Sequence, residues 1–464
     1  MTSRFASRST AIFALGALIG LGHSGDAAAQ EPARTRGAAY LLTNGTIIDG
    51  RGGPPREDQA IYVESGHILA VGAPSQMALP QGLTVVDMQG KWLVPGYIDT
   101  HVHARDSVTL RRMLAVGITT VRSPTSVVVD GVDYRRYAQS RNVPAPRVFA
   151  SGPILDTPPG RWPDSRLVTT EEEIRAAIRE QADAEVDFVS LSIGLPPTLV
   201  DAAIDEAHDA DLEVAGDLVA TSWIEAGRRG IDHLMNVVSR NPALLPESVR
   251  ESYEADVSAG DVHASYRWLE LLDLDGPEVD AMLTALLSRD VTVEPLLVAT
   301  EAVLFCGTPE YSEFVARFYE NGPDPTESVD CPSEAGAADF HARAREAWPK
   351  ALRLVELLHD QGVRLLAGSN SPFGLIPAGH SYHRELQLLV DAGVPELEVI
   401  GIATRNAASS LGILHQTGTI EADKRADIVA LRADPTENIS AARDIVWVMK
   451  DGRFFVDSRE GQPR

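Results

Sequence analysis

Positive charge is scarce in this chain. Across 464 residues, Lys and Arg total 41 against 66 Asp and Glu, a formal net charge of −25. That balance repels phosphate and argues against nucleic acid or an anionic membrane surface as a partner. Lysine is rarest: Lys91, Lys350, Lys424 and Lys450 are the only ones, so none lies between 91 and 350. Cysteine is confined to Cys306 and Cys331, too few for a disulfide-built scaffold and, by themselves, too few for a zinc site. Low-complexity tracts, internal repeats and apolar runs long enough to span a bilayer are all lacking. What remains is ordinary globular composition, 44% hydrophobic and 23% charged. The length suits one large domain or two to three small ones.

The N-terminus reads as a secretory signal over 1–29. Arg4 and Arg8 give a basic start, residues 11–22 a short apolar run, and Ala27-Ala28-Ala29 the small residues for cleavage before Gln30. The competing reading is an uncleaved anchor. The signal predicts an exported chain, periplasmic or secreted, with no membrane association after cleavage. In an oxidising compartment Cys306 and Cys331 can close a loop around a polar, Pro-containing insertion, worth about 3 kcal/mol if bridged. Two unpaired thiols are the alternative.

Residues 38–95 alternate polar and apolar side chains with period two, with turns expected at Asn44-Gly45 and Ser65-Gly66. Residues 413–464 have the same texture and a turn at Asp451-Gly452. Together they predict one small composite β-sandwich built from both ends. Between them, 96–412 alternates strand and helix, with strand-like runs near 97–103, 117–122, 146–151, 186–193, 212–218, 231–237, 291–297 and 363–370. Thr170 and Glu173 form a capping-box pattern ahead of an apolar face at Ile174, Ala177 and Ile178. This predicts an α/β fold, a (β/α)8 TIM-like barrel, with a doubly wound open sheet as runner-up. Longer insertions at 238–280 and 300–345 follow strands, where a barrel carries its active-site loops.

The most specific local run ends in Val94-Pro95-Gly96-Tyr97-Ile98-Asp99-Thr100-His101-Val102-His103. Alternation along a strand points His101 and His103 the same way, into the mouth of a barrel, where two imidazoles can bind one divalent cation. The run resembles the metal-dependent amidohydrolase superfamily, in particular its imidazolonepropionase-like and Xaa-Pro dipeptidase-like members. "RRMLAVGITTVRS", "SYHREL", "LEVIGIATRNAASSLGI" and "GTIEADKRADIVAL" extend the likeness over nearly all of the chain beyond the signal.

The resemblance implies one or two metal ions held by six groups: the His-x-His pair, a carboxylated lysine, two further histidines and an aspartate. Carried over one at a time, only His101 and His103 remain. The lysine position holds Ser190, the strand-five histidine Asp217, the strand-six histidine Asn236 and the aspartate Asn370. His233 lies three residues before Asn236, an odd offset that points it to the opposite strand face. A binuclear centre then lacks its balancing charge. A single ion, most naturally zinc, remains open on His101, His103 and Asp217. Asp217, Asn370, His380 and Ser190 are the candidate catalytic groups, His380 as a replacement base. Asn236, Arg161, Trp162 and His383 are candidates for binding a small-molecule substrate or ligand. The loop 155–166, with Trp162 between prolines, reads either as a lid or as a plain surface loop. Three function classes stay open: a hydrolase of C–N bonds in a small amide, cyclic amide or dipeptide-like compound; a catalytically silent ligand-binding protein, which needs no cofactor; and a lyase or isomerase. Nothing in the sequence sets the oligomeric state.

Overall fold

In the computed structural model, the described residues are 38–103, 106–124, 131–140, 143–236, 241–258, 264–318, 337–372 and 376–457. All fall in one compact unit, Gly37–Arg464. The signal over 1–29 and Cys331 lie outside the described residues. Among those residues, no helix is long and apolar enough to cross a membrane.

Seven short parallel strands form the centre: β1 (Tyr97–Asp99), β2 (Ile118–Ser123), β3 (Arg147–Ala150), β4 (Phe188–Leu191), β5 (Glu213–Gly216), β6 (His233–Met235) and β7 (Thr292–Glu294). β1–β2–β3 make one sheet and β4–β5–β6–β7 run consecutively in a second. Single parallel bridges join these sheets into a ring: Ser151 to Phe188, Val293 to Leu365, and Val102 to Ser371. The eighth position is the extended segment 363–371, tied on one side by Leu366 N–H to Val293 O (2.9 Å) and on the other by His103 N–H to Ser371 O (2.8 Å). The ring closes, which a doubly wound open sheet does not do.

The strands are largely buried on both faces because helices cover the outside. The largest core cluster joins Ile174, Ile178, Val189, Leu191, Val200, Ile204 and Val214 between the strands and the helices around them. Helix α1 (Glu171–Asp183) opens on the expected capping box, Glu173 N–H to Thr170 Oγ1 at 3.2 Å and Thr170 N–H back to Glu173 Oε2 at 3.2 Å.

A second sheet draws strands from both ends of the chain, pairing Trp92–Pro95 with Ala39–Ile47 on one side and Ile428–Leu431 on the other. It has its own core around Leu42, Ile61, Leu93, Ile428 and Trp447. Hairpins turn at Ser65-Gly66 and Asp451-Gly452, as their sequence predicts. Asn44-Gly45 differs: it is a bulge inside the strand Ala39–Ile47, where the pairing shifts between Leu42 and Gly45. A Cβ at Gly45 would come within 3.0 Å of Lys91 O and of Met88 Cβ, so close backbone approach rather than a chain reversal requires the glycine. Arg147, at the start of β3, joins barrel to sheet by reaching Asp427 (3.3 Å) and Asp451 (3.0 Å).

Candidate active site

Register decides which side chains enter the ring. Phe188, Glu213, His233 and Thr292 share one face of the β4–β7 sheet, and two residues further on so do Ser190, Ala215, Met235 and Glu294. The guanidinium of Arg122, on β2, lies 5.4 Å from the Phe188 ring, and its Nη2 meets Glu294 Oε1. This face is therefore the interior.

A line of buried groups crosses that interior. Arg122 donates through Nε to Thr100 O (2.9 Å) and through Nη2 to Glu294; the residues are 1% and 0% exposed. The other carboxylate oxygen of Glu294 takes His101 Nδ1 at 3.3 Å. Burial pushes the Glu294 carboxyl up, but Arg122 and then His101 outweigh it and hold the group below its ordinary range. An ionised carboxylate only accepts, so the proton is on His101 Nδ1 and the lone pair on Nε2. The His101 and His103 rings lie 5.5 Å apart, edge to face. His103 Nε2 bonds Asn370 Oδ1 at 2.7 Å, which assigns that nitrogen as a donor.

Asp99 holds this corner from beneath. It accepts from His101 N (3.2 Å), Ser369 N (3.0 Å) and Ser369 Oγ (2.6 Å), locking the first strand to the eighth segment. Burial raises its pKa to about 7 against those hydrogen bonds.

The lid residues do reach the pair. Trp162 lies 6.4 Å from the His103 ring, centroid to centroid, and the exposed Arg161 stacks over Trp162 at 5.5 Å. Buried Asp156 fixes the loop through Thr157 N (2.8 Å), Arg161 N (2.8 Å) and Gly194 N (3.2 Å), so the connections after β3 and β4 are tied to each other.

The other sequence candidates divide. Ser190 faces inward from β4, and its buried Oγ makes no hydrogen bond among the described residues. Asp217 follows β5, its N–H on Leu191 O at 3.1 Å. Asn236 has left-handed backbone (φ 68°) and donates its N–H to Glu294 O at 2.8 Å, which sets it beside β7.

His380 and His383 do not join the pair, and the roles expected of them are corrected. Both open helix α2 (Glu385 included), which spans His380–Asp391. His383 Nε2 donates to Val116 O at 2.9 Å and its ring packs on Tyr97 and Tyr382. Tyr97 begins the strand whose far end leads to His101, so His383 serves the opposite end of the barrel. Burial drives its pKa down to about 3, leaving it neutral. The pKa of His380 is lowered by burial and by Arg443, a residue of the C-terminal segment. His233 is also corrected: it faces inward, not outward, but at the barrel floor, bonding Glu213 (2.9 Å) and Thr292. Cys306 is disulfide-bonded.

Sequence reading passed over Glu294 and Arg122. The donor set does not fit the divalent ion that the resemblance implies. His103 presents a proton rather than a lone pair. Both oxygens of Glu294 are taken. Among the described residues no three His, Cys, Asp or Glu side chains converge as a ligand set, so His101, His103 and Asp217 do not form the expected cage.

Residues 336–455 match the model of the amidohydrolase family. The imidazolonepropionase of Geobacillus kaustophilus (strain HTA426) is 24% identical over 402 residues, covering 80% of this chain and 83% of its own. The N-acyl-D-aspartate deacylase of Alcaligenes xylosoxydans xylosoxydans is 39% identical over 66 residues, 14% of this chain; the match spans only 12% of that relative's length. A Xaa-Pro dipeptidase solved with methionine bound in its active site superposes with a TM-score of 0.66 at 18% identity, over 90% of this chain and all of that one (100%).

Proposed function

We propose that the chain is an amidohydrolase-superfamily enzyme that hydrolyses a carbon–nitrogen bond in a small amide, cyclic amide or dipeptide-like compound, with His101 as general base. Members of the superfamily typically use divalent metals, which the donor set of this mouth does not fit. The observation that carries it is the buried line from Arg122 through Glu294 to His101.

Glu294 fixes the imidazole tautomer and stabilises the imidazolium that forms when Nε2 accepts a proton. A water beside Nε2 attacks the amide carbonyl carbon, and its proton passes to His101. The same proton then goes to the leaving nitrogen as the C–N bond breaks. Asn370 holds the His103 ring next to this nitrogen. Trp162 covers the pair, and Arg161 stacked on it offers a carboxylate receptor at the rim. Acylated amino acids and dipeptides, the chemistry named by the relatives above, supply both an amide and a carboxylate. We propose further that the chain is exported, with the signal over 1–29 removed, and acts in the periplasm or outside the cell.

The test is a panel of N-acyl amino acids, prolyl dipeptides and cyclic amides offered to the mature chain, with products weighed by mass spectrometry. Hydrolysis gives fragments that sum to substrate plus water; a lyase or isomerase gives no such gain. His101→Ala is expected to lower kcat/KM by about 10²–10⁴-fold. Ligand-induced stabilisation without turnover, or turnover untouched in His101→Ala, would sink the proposal.

A further inference from the structure

The donor set and the family's habit of holding divalent ions disagree, and the disagreement has a structural cause. We propose that the Arg122–Glu294 pair takes the electrostatic place of the divalent cation in this mouth, so that the chain neither retains nor requires a metal ion. A divalent ion in such a site draws carboxylates inward and orients the histidines. Here a resident guanidinium does both. Arg122 is buried and fixed at two points, on Thr100 O of the first strand and on Glu294 of the seventh. The carboxylate so held orients His101 through Nδ1.

The pair also leaves no room in the charge balance for an ion. Glu294 is compensated within the protein, and the neighbour of His103 is the neutral amide of Asn370. A cation between the two rings would face Arg122 across the Glu294 carboxylate. Like charges in a poorly screened interior repel strongly. The cation would also have to strip the proton from His103 Nε2 and break its 2.7 Å bond. The inference does not depend on hydrolysis, because a silent binding protein with this interior would be equally free of metal.

The experiment uses the full mature chain, expressed in medium supplemented with zinc and manganese and then dialysed. Metal content is measured by mass spectrometry. Zinc is titrated while thermal unfolding and tryptophan fluorescence are followed, Trp162 being against His103. Metal far below one equivalent, with no zinc-dependent change in either signal, is the expected result. About one equivalent retained by the wild type and lost in His101→Ala/His103→Ala overturns the proposal. The share due to Arg122 is read from Asn370→Asp, which returns a carboxylate beside His103, with and without Arg122→Gln. Removing the guanidinium is expected to tighten zinc binding at least roughly tenfold over Asn370→Asp alone. Equal affinities in the two variants overturn the role given to Arg122. Should the double variant fail to fold, the wild-type metal measurement still decides.

Discussion

Glu294→Gln isolates the charge on which the site is built. Glutamine keeps the volume, so no cavity forms and what disappears is the ion pair. Glu294 is 0% and Arg122 1% exposed, so the substitution strands a buried guanidinium, a loss of about 3–5 kcal/mol. Urea unfolding followed by tryptophan fluorescence measures it. Arg122→Met should cost a similar amount, and the two changes together much less than their sum, a coupling above about 1 kcal/mol. The acid limb gives a second reading. A carboxyl held below its ordinary pKa stabilises the fold above its unfolded value, near pH 4.3, and that contribution is lost as pH falls through the folded value. Glu294→Gln should therefore flatten the stability profile on the acid side. If the single variant stays within about 1 kcal/mol of wild type, below the range for a broken buried pair, or if the two changes add without coupling, the interior ion pair is not what holds His101.

Asp99 and Glu385 titrate in the opposite sense. Burial raises them to about 7 and about 8, so the stability they confer is full below their unfolded values near pH 4 and is lost as pH rises to 7 and 8, by at most about 1.4 kcal/mol per pH unit for each proton; Asp99→Asn should remove part of that slope in a pH series of unfolding curves. A methyl at Gly368 would lie 2.6 Å from His101 Cβ and 2.9 Å from Leu296 Cδ2, so Gly368→Ala should cost about 1–3 kcal/mol by overpacking and lower kcat more than stability alone explains. His383→Ala should cost about 2–4 kcal/mol in unfolding free energy from the lost buried ring, with kcat/KM per folded molecule unchanged.

The barrel and the composite sheet were legible because each rests on a local signal. Period-two alternation marked the terminal strands, and apolar runs between helical stretches marked the barrel. The exception at Asn44-Gly45 is instructive. A turn dipeptide and a bulge ask for the same backbone freedom, and only pairing across to Gln59 separates them. The histidine pair was legible for a similar reason, since two residues along one strand share a face whatever the rest of the fold does. His380 and His383 were misplaced because helix phase and tilt, not sequence distance from the eighth segment, decide which end of the barrel a side chain meets. Glu294 was missed although the sequence held a hint. In Val291-Thr292-Val293-Glu294-Pro295 a charge ends an otherwise buried strand, as Arg122 does in Ile118-Thr119-Thr120-Val121-Arg122. Opposite charges on buried strands require partners. Which partner each finds is set by ring closure, which no local window contains.

That closure also makes sense of three of the four positions at which the resemblance expects a metal ligand, as one change rather than three. With a guanidinium permanently inside the ring, one carboxylate balances it, and Glu294 is that carboxylate. An aspartate at 370 would add a second negative charge beside His103 with no cation to meet it, whereas Asn370 satisfies the same imidazole without charge. A carboxylated lysine at 190 would add another, and Ser190 is short and uncharged. A histidine at 236 would serve only to surround an ion, and Asn236 is uncharged, whereas Asp217 brings a carboxylate that the charge of Arg122 does not explain. The polarity of the mouth is kept while its charge requirement shifts from a bound cation to a resident one, and the residues at 190, 236 and 370 follow from the charge of Arg122.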